Sequence, residues 1–287
     1  MKWIKKLITT FLVLVLINLI SILILSLNLK KILVDGIIKE TITAQITKKD
    51  QKESNFIITE ETLNQITDDE RIKELLNTKE VNDLLNKYLD LTVDSIIDES
   101  KLNEIEIERD MMNFLEKNKS SLEDLVGTEI TEEAIENTRI QMESGDWSRS
   151  YKQSIKNTSK SINKTEKTVL VGYKFFISVK FKVIIISLIA LDIILIMVIE
   201  KSWIKLIKKI IDAVIISSIS LILMSIVIQT LVRRLADFPS FQMASLLNTC
   251  IILLVTSILL RILYAIVLKK TKKEEENDLS KTFNSSV

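Results

Sequence analysis

The chain has 287 residues, of which 47% are hydrophobic and 27% charged, and its formal net charge is +1. Histidine is absent and Cys250 is the only cysteine, which excludes catalytic triads, Cys–His dyads, histidine-based zinc and haem sites, CxxC pairs and intrachain disulfides. Only 4 Gly and 1 Pro are present, so phosphate-binding glycine loops and β-rich folds are disfavoured as well.

Charge is segregated along the chain. Residues 50–146 hold 27 Asp and Glu but only 10 Lys and Arg, whereas the rest of the chain holds 11 acidic and 29 basic residues. The net charge therefore hides an acidic segment within a basic chain and says nothing about partners. Because the acidic segment has the wrong sign to approach phosphate, we expect no binding to nucleic acid.

The first apolar segment, residues 7–29, contains no charge and is bounded by a lysine pair on each side. At a rise of 1.5 Å per residue it exceeds the roughly 20 residues needed to cross a bilayer. No small-residue cleavage site follows it, so we predict an uncleaved transmembrane helix. Residues 1–6 before it form a short cytoplasmic N-terminus.

Residues 30–178 are predicted to form one acidic helical domain outside the cytoplasm. Thr67 to Glu70 predicts a helix-capping box, and apolar residues then recur at three- and four-residue intervals from Val81 to Ile96. Only residues 55–58 suggest a short strand. Further helices are expected near 107–116, 121–126 and 132–143, separated by polar or glycine-containing segments.

Both ends of this domain carry an apolar row. Ile155, Ile162, Val169 and Phe176 recur every seven residues, and Val34, Ile38, Ile42 and Ile46 recur every four. A single row needs another helix to cover it. We therefore predict a paired stalk of helices at 30–49 and 147–178 that continues the first two spans, the alternative being that these are ordinary helices of the domain.

Three more spans follow, which makes the predicted fold an all-α integral membrane protein with four transmembrane helices. The second and third spans are separated by a cytoplasmic loop, the third and fourth form an antiparallel hairpin, and the chain ends in a disordered cytoplasmic tail. The predicted ranges are 179–199 for the second span, 200–212 for the loop, 213–232 for the third span, 233–243 for the short outer loop, 244–268 for the fourth span and 269–287 for the tail.

Lysine and arginine in the flanks predict the orientation. Twelve lie on one side of the four-span layout and seven on the other, so the first side should be the cytoplasm and both termini should lie there. The twelve are Lys2, Lys5, Lys6, Lys201, Lys205, Lys208, Lys209, Lys269, Lys270, Lys272, Lys273 and Lys281, and the seven are Lys30, Lys31, Lys174, Lys180, Lys182, Arg233 and Arg234.

Two charged residues inside the spans form the candidate site. Asp192 and Arg261 each lie eight residues before the cytoplasmic end of their span, about 12 Å from it at 1.5 Å per residue. A charge in that position costs roughly 2.5 to 3.5 kcal/mol, so opposite charges at equal depth suggest a contact. A structural ion pair is the favoured interpretation, a proton or ion relay is the alternative, and a third possibility is that Arg261 extends to the interface without a contact.

The other polar residues indicate less. Ser217, Ser218 and Ser220 predict a close-packing face, and Asn18, Gln229, Thr230 and Asn248 predict hydrogen bonds between spans. Asp212 and Glu200 should reach water at the interface. No catalytic or cofactor-binding residue is predicted. No metal-binding residue is predicted either, because the acidic runs lack the spacing and glycine of a calcium loop.

Two functional hypotheses remain. In the first, the chain is a non-enzymatic sensor, scaffold or accessory subunit whose outer domain binds a protein or peptide while the spans contact the lipid bilayer. In the second, it is a subunit of a transporter or channel that uses Asp192 and Arg261. The absence of glycine-rich interruptions in the spans favours the first hypothesis. The abundance of Lys, Ile and Asn is typical of bacteria with AT-rich genomes, so we expect a plasma-membrane location.

Overall fold

The computed structural model describes residues 2–39, 42, 74–126, 129–235 and 241–284. Every regular element within these ranges is helical, as predicted. A π-helical segment, Val34–Lys39, follows the first α-helix, and a 3₁₀ helix, Glu99–Glu104, follows the second. The α-helices are α1 (Lys2–Leu33), α2 (Lys79–Ile97), α3 (Ile107–Val126), α4 (Glu132–Glu143), α5 (Asp146–Ser161), α6 (Lys164–Ile177), α7 (Val179–Glu200), α8 (Trp203–Leu235) and α9 (Ala244–Asn284).

The chain divides into two compact units. The span unit consists of Met1–Leu29, Ile177–Pro239 and Met243–Val287. The helical domain consists of Lys30–Phe176 together with Ser240–Gln242. The predicted division of the chain at the end of the first apolar segment and at the start of the second therefore coincides with the division into units, to within two residues.

Among the described residues, four helices are long and apolar enough to cross a membrane, which agrees with the predicted number of spans. An α-helix satisfies its backbone hydrogen bonds internally, as a segment without water around it requires. Many large apolar side chains of these four helices face outward, such as Val198 of α7 at 64% exposure and Ile252 of α9 at 66%. The four segments are Lys2–Lys39, Val179–Glu200, Trp203–Arg234 and Ala244–Lys269.

Two elements between and after the spans differ from the prediction. The predicted loop 200–212 is almost entirely the start of α8, and only Lys201 and Ser202 separate it from α7. Lys201 adopts a left-handed conformation with φ of 53°, which ends α7. The apolar residues of this segment recur at helical spacing, and Leu206 is 2% exposed. The predicted disordered tail is helical to Asn284.

Small residues allow the spans to pack closely. The core of the span unit joins Leu16 of α1 and Ile196 of α7 to Leu206 and Ala213 of α8. One turn beyond Ala213, the buried Ser217 donates a hydrogen bond of 2.9 Å to the carbonyl oxygen of Ile17. A side chain on one helix that reaches the backbone of another requires a close approach. The predicted packing role of Ser217 and Ser218 agrees with their complete burial, whereas Ser220 is exposed.

Helix α2 is the centre of the helical domain. Thr78 caps its first turn by accepting a hydrogen bond from the N–H of Val81. Its predicted apolar positions enter two clusters: Val81 packs with Leu76, and Ile96 packs with Ile105 and Ile155. The three- and four-residue spacing places these side chains on one broad face of the helix. Helical periodicity therefore identified α2 and its buried face correctly.

The predicted paired stalk does not match the described structure. The segment 147–178 is broken at Ile162, where ψ is 138°, and again at Ser178, where ψ is 152°. Ile155 and Ile162 pack in the cluster formed around α2, while Val169 is 65% exposed. The apolar row exists, but α2 covers its first half, so α5 is an ordinary helix of the domain.

The predicted interruptions between the remaining helices are found in modified form. Residues 107–126 form one helix with a kink at Asn118, where φ is −114° and ψ is 16°. The side chain of Asn118 donates to the carbonyl oxygen of Phe114 at 2.9 Å. Between α4 and α5, Gly145 has φ of +66°, a conformation that glycine adopts without steric cost.

The starts of α3 and α5 cap each other. The N–H of Ile107 donates to the Ser148 hydroxyl at 2.9 Å, and the N–H of Ser148 donates to the Glu108 carboxylate at 2.7 Å. The Ser148 hydroxyl also donates to Glu108. Burial raises the pKa of Glu108, but the hydrogen bonds from Ser148 outweigh it and hold the pKa below its ordinary value. At the start of each helix, a backbone N–H that has no partner within its own helix thus donates to a side chain of the other helix.

Two lysines at the ends of the apolar segments pair with α2. Lys30 contacts Asp90 at 2.6 Å, and Lys174 contacts Asp94 at 2.6 Å. Asp90 and Asp94 are four residues apart and therefore lie on the same face of α2. Both lysines were among the seven basic residues that opposed the predicted orientation, and the structure gives them a partner in the helical domain.

Three predicted features lie outside the described residues. They are the capping box at 67–70, the short strand at 55–58 and the apolar position Ile46. Pro239, on which the turn between the third and fourth spans was based, also lies outside them. The hairpin itself is present, because α8 and α9 pack along each other.

Gly36 is required by a close approach within the helical domain. A Cβ at this position would lie 2.5 Å from the carbonyl oxygen of Gln242, so Gly36→Ala should lower the free energy of unfolding by about 1–3 kcal/mol. The control is Gly172→Ala, whose Cβ would meet nothing within 4 Å and should stabilise α6 by about 0.5–1 kcal/mol. Thermal unfolding of the purified chain in detergent compares the two. Equal effects would contradict the close approach.

Glu108 should make the stability of the helical domain sensitive to acid. Its lowered pKa means that the carboxylate stabilises the folded state above the ordinary value of 4.5, and that this contribution is lost as pH falls through the folded value. Glu108→Gln should therefore cost about 1 kcal/mol at pH 7 and reduce the loss of stability between pH 5 and 3, each by the rough magnitude of a helix cap. The exposed Glu133→Gln is the control.

Trp147 provides the readout for this comparison, because it precedes Ser148 in the chain. With Trp3 and Trp203 replaced by Phe, its fluorescence reports on the unfolding of the helical domain alone. An unchanged pH profile in Glu108→Gln would show that the mutual capping contributes nothing to stability.

Candidate functional site

Arg261 pairs with Asp212 instead of Asp192. The Nε atom of Arg261 lies 3.1 Å from the Oδ1 atom of Asp212, and each side chain is about one third exposed, at 33% and 37%. The predicted pairing of Arg261 with Asp192 is absent from the ion pairs of the described residues. The sequence placed Arg261 and Asp192 at the same predicted depth, but it did not show which helices pack against each other.

The packing of the spans explains the choice of partner. Helix α9 packs along α8, and α7 packs on another part of the span unit with α1 and α8. The guanidinium of Arg261 also lies 5.5 Å from the centre of the Tyr264 ring, and the Tyr264 hydroxyl donates to the carbonyl oxygen of Ile204 at 3.0 Å. Arg261 and Tyr264 are three residues apart, so one face of α9 makes both contacts with α8.

Asp192 is buried in the span unit. Its residue exposure is 5%, and its Oδ2 atom has no hydrogen-bond partner among the described residues. The residues around it on α7, Ile189, Ile193 and Ile196, pack in the apolar core of the span unit. A buried carboxylate that lacks a partner is costly to stability, and this distinguishes Asp192 from Glu200 and Asp212, which have ion pairs.

Other polar residues of the spans are arranged as structural contacts. Thr249 of α9 donates to the side-chain oxygen of Asn28 on α1 at 3.0 Å, a contact that the sequence did not indicate. The predicted contacts of Asn18 and Thr230 are made within their own helices, to the carbonyl oxygens of Leu14 and Ile226. Spacing alone does not show whether a span residue bonds to its own helix or to a neighbour.

Glu200 and Asp212 were expected to reach water and to carry little information, yet both form ion pairs with basic side chains. Glu200 contacts Lys209 at 2.6 Å and Lys5 at 3.9 Å, which brings together the ends of three helices of the span unit. Glu200 has a side-chain exposure of only 11%. These carboxylates therefore belong to the packing of the span unit, and not merely to its surface.

A polar cluster of the helical domain was not predicted from the sequence. Asp110 accepts from Lys87 at 2.5 Å and from the Tyr88 hydroxyl at 2.7 Å. Burial and the nearby Asp110 carboxylate raise the pKa of Tyr88, so the hydroxyl remains a donor. The Tyr88 ring meets the Tyr151 ring edge-on, with their centres 6.0 Å apart. This cluster holds α2, α3 and α5 together. Its residues are far apart in the sequence, so only the structure shows that they are in contact.

Within the described ranges, no group of three or more Cys, Asp or Glu is placed to hold a metal ion. The arrangement of the span unit can do two things chemically. The Arg261–Asp212 pair can fix α8 against α9, and Asp192 can accept a proton or a cation if one reaches it.

Neutralising one member of the Arg261–Asp212 pair leaves the other charge alone in its span. Arg261→Gln and Asp212→Asn should each lower the free energy of unfolding by about 1–2 kcal/mol, a value reduced for partial exposure. The double variant should lose less than the sum, with a coupling of about 1 kcal/mol. The same cycle with Asp192→Asn in place of Asp212→Asn is the control and should give a coupling near zero. Coupling only in that control would restore the pairing predicted from sequence.

Comparison with known proteins gives no functional lead. No protein-family model matches the chain, and no curated protein or solved structure is significantly similar to it. The function must therefore be argued from the charges, exposures and contacts of the chain itself.

Proposed function

We propose that the chain is an integral membrane protein that presents its helical domain outside the cytoplasm as a non-enzymatic sensor, scaffold or accessory subunit. The spans anchor this domain in the plasma membrane, with both termini in the cytoplasm. The distribution of basic residues supports this orientation: twelve flank one side and seven the other, and two of the seven are engaged by Asp90 and Asp94.

The exposed acidic surface of α4 is the observation that carries this proposal. Only a narrow stripe of α4 faces inward, where Met142 is buried against the domain. Glu132 has a side-chain exposure of 97%, and the apolar Ile140 is 58% exposed in the middle of the same helix. The exposed carboxylates of α4 are complementary to a basic partner surface, and Ile140 would add an apolar contact to it.

Arg139 shows how the surface divides into paired and unpaired charges. Its guanidinium binds Glu116 at 2.8 Å and Glu136 at 2.9 Å, so these two carboxylates share one positive charge. Glu133 and Glu143 have no ion pair among the described residues. We propose that these unpaired carboxylates, together with Ile140, contact the basic surface of a protein or peptide.

A second candidate function, a subunit of a transporter or channel, is favoured by the burial of Asp192. Its unpartnered Oδ2 atom is the kind of group that marks ion or proton pathways in membrane proteins. The Asp212 contact of Arg261 weakens this candidate, because the arginine is no longer the counter-ion of Asp192. The first function therefore has the stronger support.

Photo-crosslinking in cells tests the proposal. A crosslinkable residue at position 140 should yield a discrete adduct with a protein, and Glu133→Gln/Glu143→Gln should reduce its yield by about five- to tenfold. The matched control, Lys156→Gln/Lys160→Gln on α5, should leave the yield unchanged. Absence of any adduct above that of a crosslinker at Gln153 would contradict the proposal. Ion flux through proteoliposomes that disappears in Asp192→Asn would favour the second candidate instead.

A further inference from the structure

Four lysines of the span unit converge on one groove. It lies between the start of α1 and the junction of α7 with α8, and it has a volume of about 320 Å³. The lysines are Lys2, Lys5, Lys6 and Lys209, and the groove also contains the hydroxyl of Thr9 and the carboxylate of Glu200. Such a volume accommodates a polar headgroup but not a whole lipid.

The groove has an excess of positive charge. Among the described residues that line it, Glu200 is the only carboxylate, and it already binds Lys209 at 2.6 Å and Lys5 more loosely at 3.9 Å. Lys2 and Lys6 have no ion pair among the described residues. Helix α1 begins at Lys2, so the positive end of its dipole adds to the potential. The positive charge of the groove exceeds the negative charge of Glu200, so the groove is suited to bind an additional anion.

The surroundings of the groove are those of a lipid-facing surface. Trp3 and Leu7 of α1 are 74% and 57% exposed, and Trp203 and Ile204 of α8 are 64% and 50% exposed. Exposed tryptophans next to apolar residues are typical of the boundary between lipid and water. An anion bound among the lysines could thus continue directly into an apolar surface, as a phospholipid does.

From this geometry we infer that the groove binds the phosphate group of an anionic phospholipid. The ammonium groups of Lys2 and Lys6 contact the phosphate, Lys5 and Lys209 contribute to the positive potential, and the acyl chains lie along the exposed apolar faces of α1 and α8. Basic pockets between transmembrane helices recognise anionic headgroups through this combination of charge and apolar surface. The inference concerns the span unit and does not depend on the proposed function of the helical domain.

Native mass spectrometry of the full chain tests the inference. The chain is released from vesicles containing equal amounts of dioleoylphosphatidylglycerol and dioleoylphosphatidylcholine, which share the same acyl chains. The wild type should retain the anionic lipid at least about fivefold over the neutral one, and Lys2→Gln/Lys6→Gln should remove most of this preference. The matched control, Lys205→Gln/Lys208→Gln, removes the same charge from exposed positions of α8 outside the groove and should keep it.

A variant of opposite effect strengthens the test. Glu200→Gln removes the carboxylate of Glu200 from the groove and should increase retention of the anionic lipid. Equal loss in the groove variant and the control would overturn the inference, because it would show a diffuse surface effect. The absence of any preference in the wild type would also overturn it. Displacement of the lipid by millimolar inorganic phosphate would overturn it as well, because it would identify a site for a free anion.

Discussion

The solvation of charge in the apolar helices is the constraint on which the rest of the span unit depends. A helix surrounded by lipid satisfies its own backbone, but each charged side chain on it needs a partner or a route to water. Arg261 and Asp212 satisfy this requirement together, and Glu200 does so with Lys209. Among the described residues, the Oδ2 atom of Asp192 has no such partner, so its burial is expected to cost stability.

The helical domain is held by a different kind of contact. With a single cysteine in the chain, no internal disulfide can join its helices. Helix α2 takes this role by packing with α5 around Ile155 and by accepting Lys30 and Lys174 on its acidic face. The mutual capping of α3 and α5 adds a directional contact to this packing. Acidic residues thus serve two purposes here, since some build the domain and others remain free on α4.

The sequence predicted those features that depend on one helix at a time. Long apolar segments predicted the spans, and periodic apolar residues predicted α2, although its Thr78 cap was not predicted. It did not predict which helices become neighbours. The depth of Arg261 is set by its position along α9, but its partner depends on which helix α9 packs against, and this is α8. The same limit explains the stalk: the heptad row showed that Ile155 is buried, but not that α2 buries it.

Labelling with a membrane-impermeant maleimide tests the central claim, that lipid surrounds four helices and the helical domain lies outside the cytoplasm. Glu132→Cys, placed on an exposed position of the helical domain, should react in intact cells, whereas Lys205→Cys should react only after the membrane is made permeable. Native Cys250, which is fully buried in α9, should react only after denaturation. Reaction of Lys205→Cys but not Glu132→Cys in intact cells would invert the orientation. Release of the chain from membranes by alkaline carbonate would contradict the membrane-spanning fold itself.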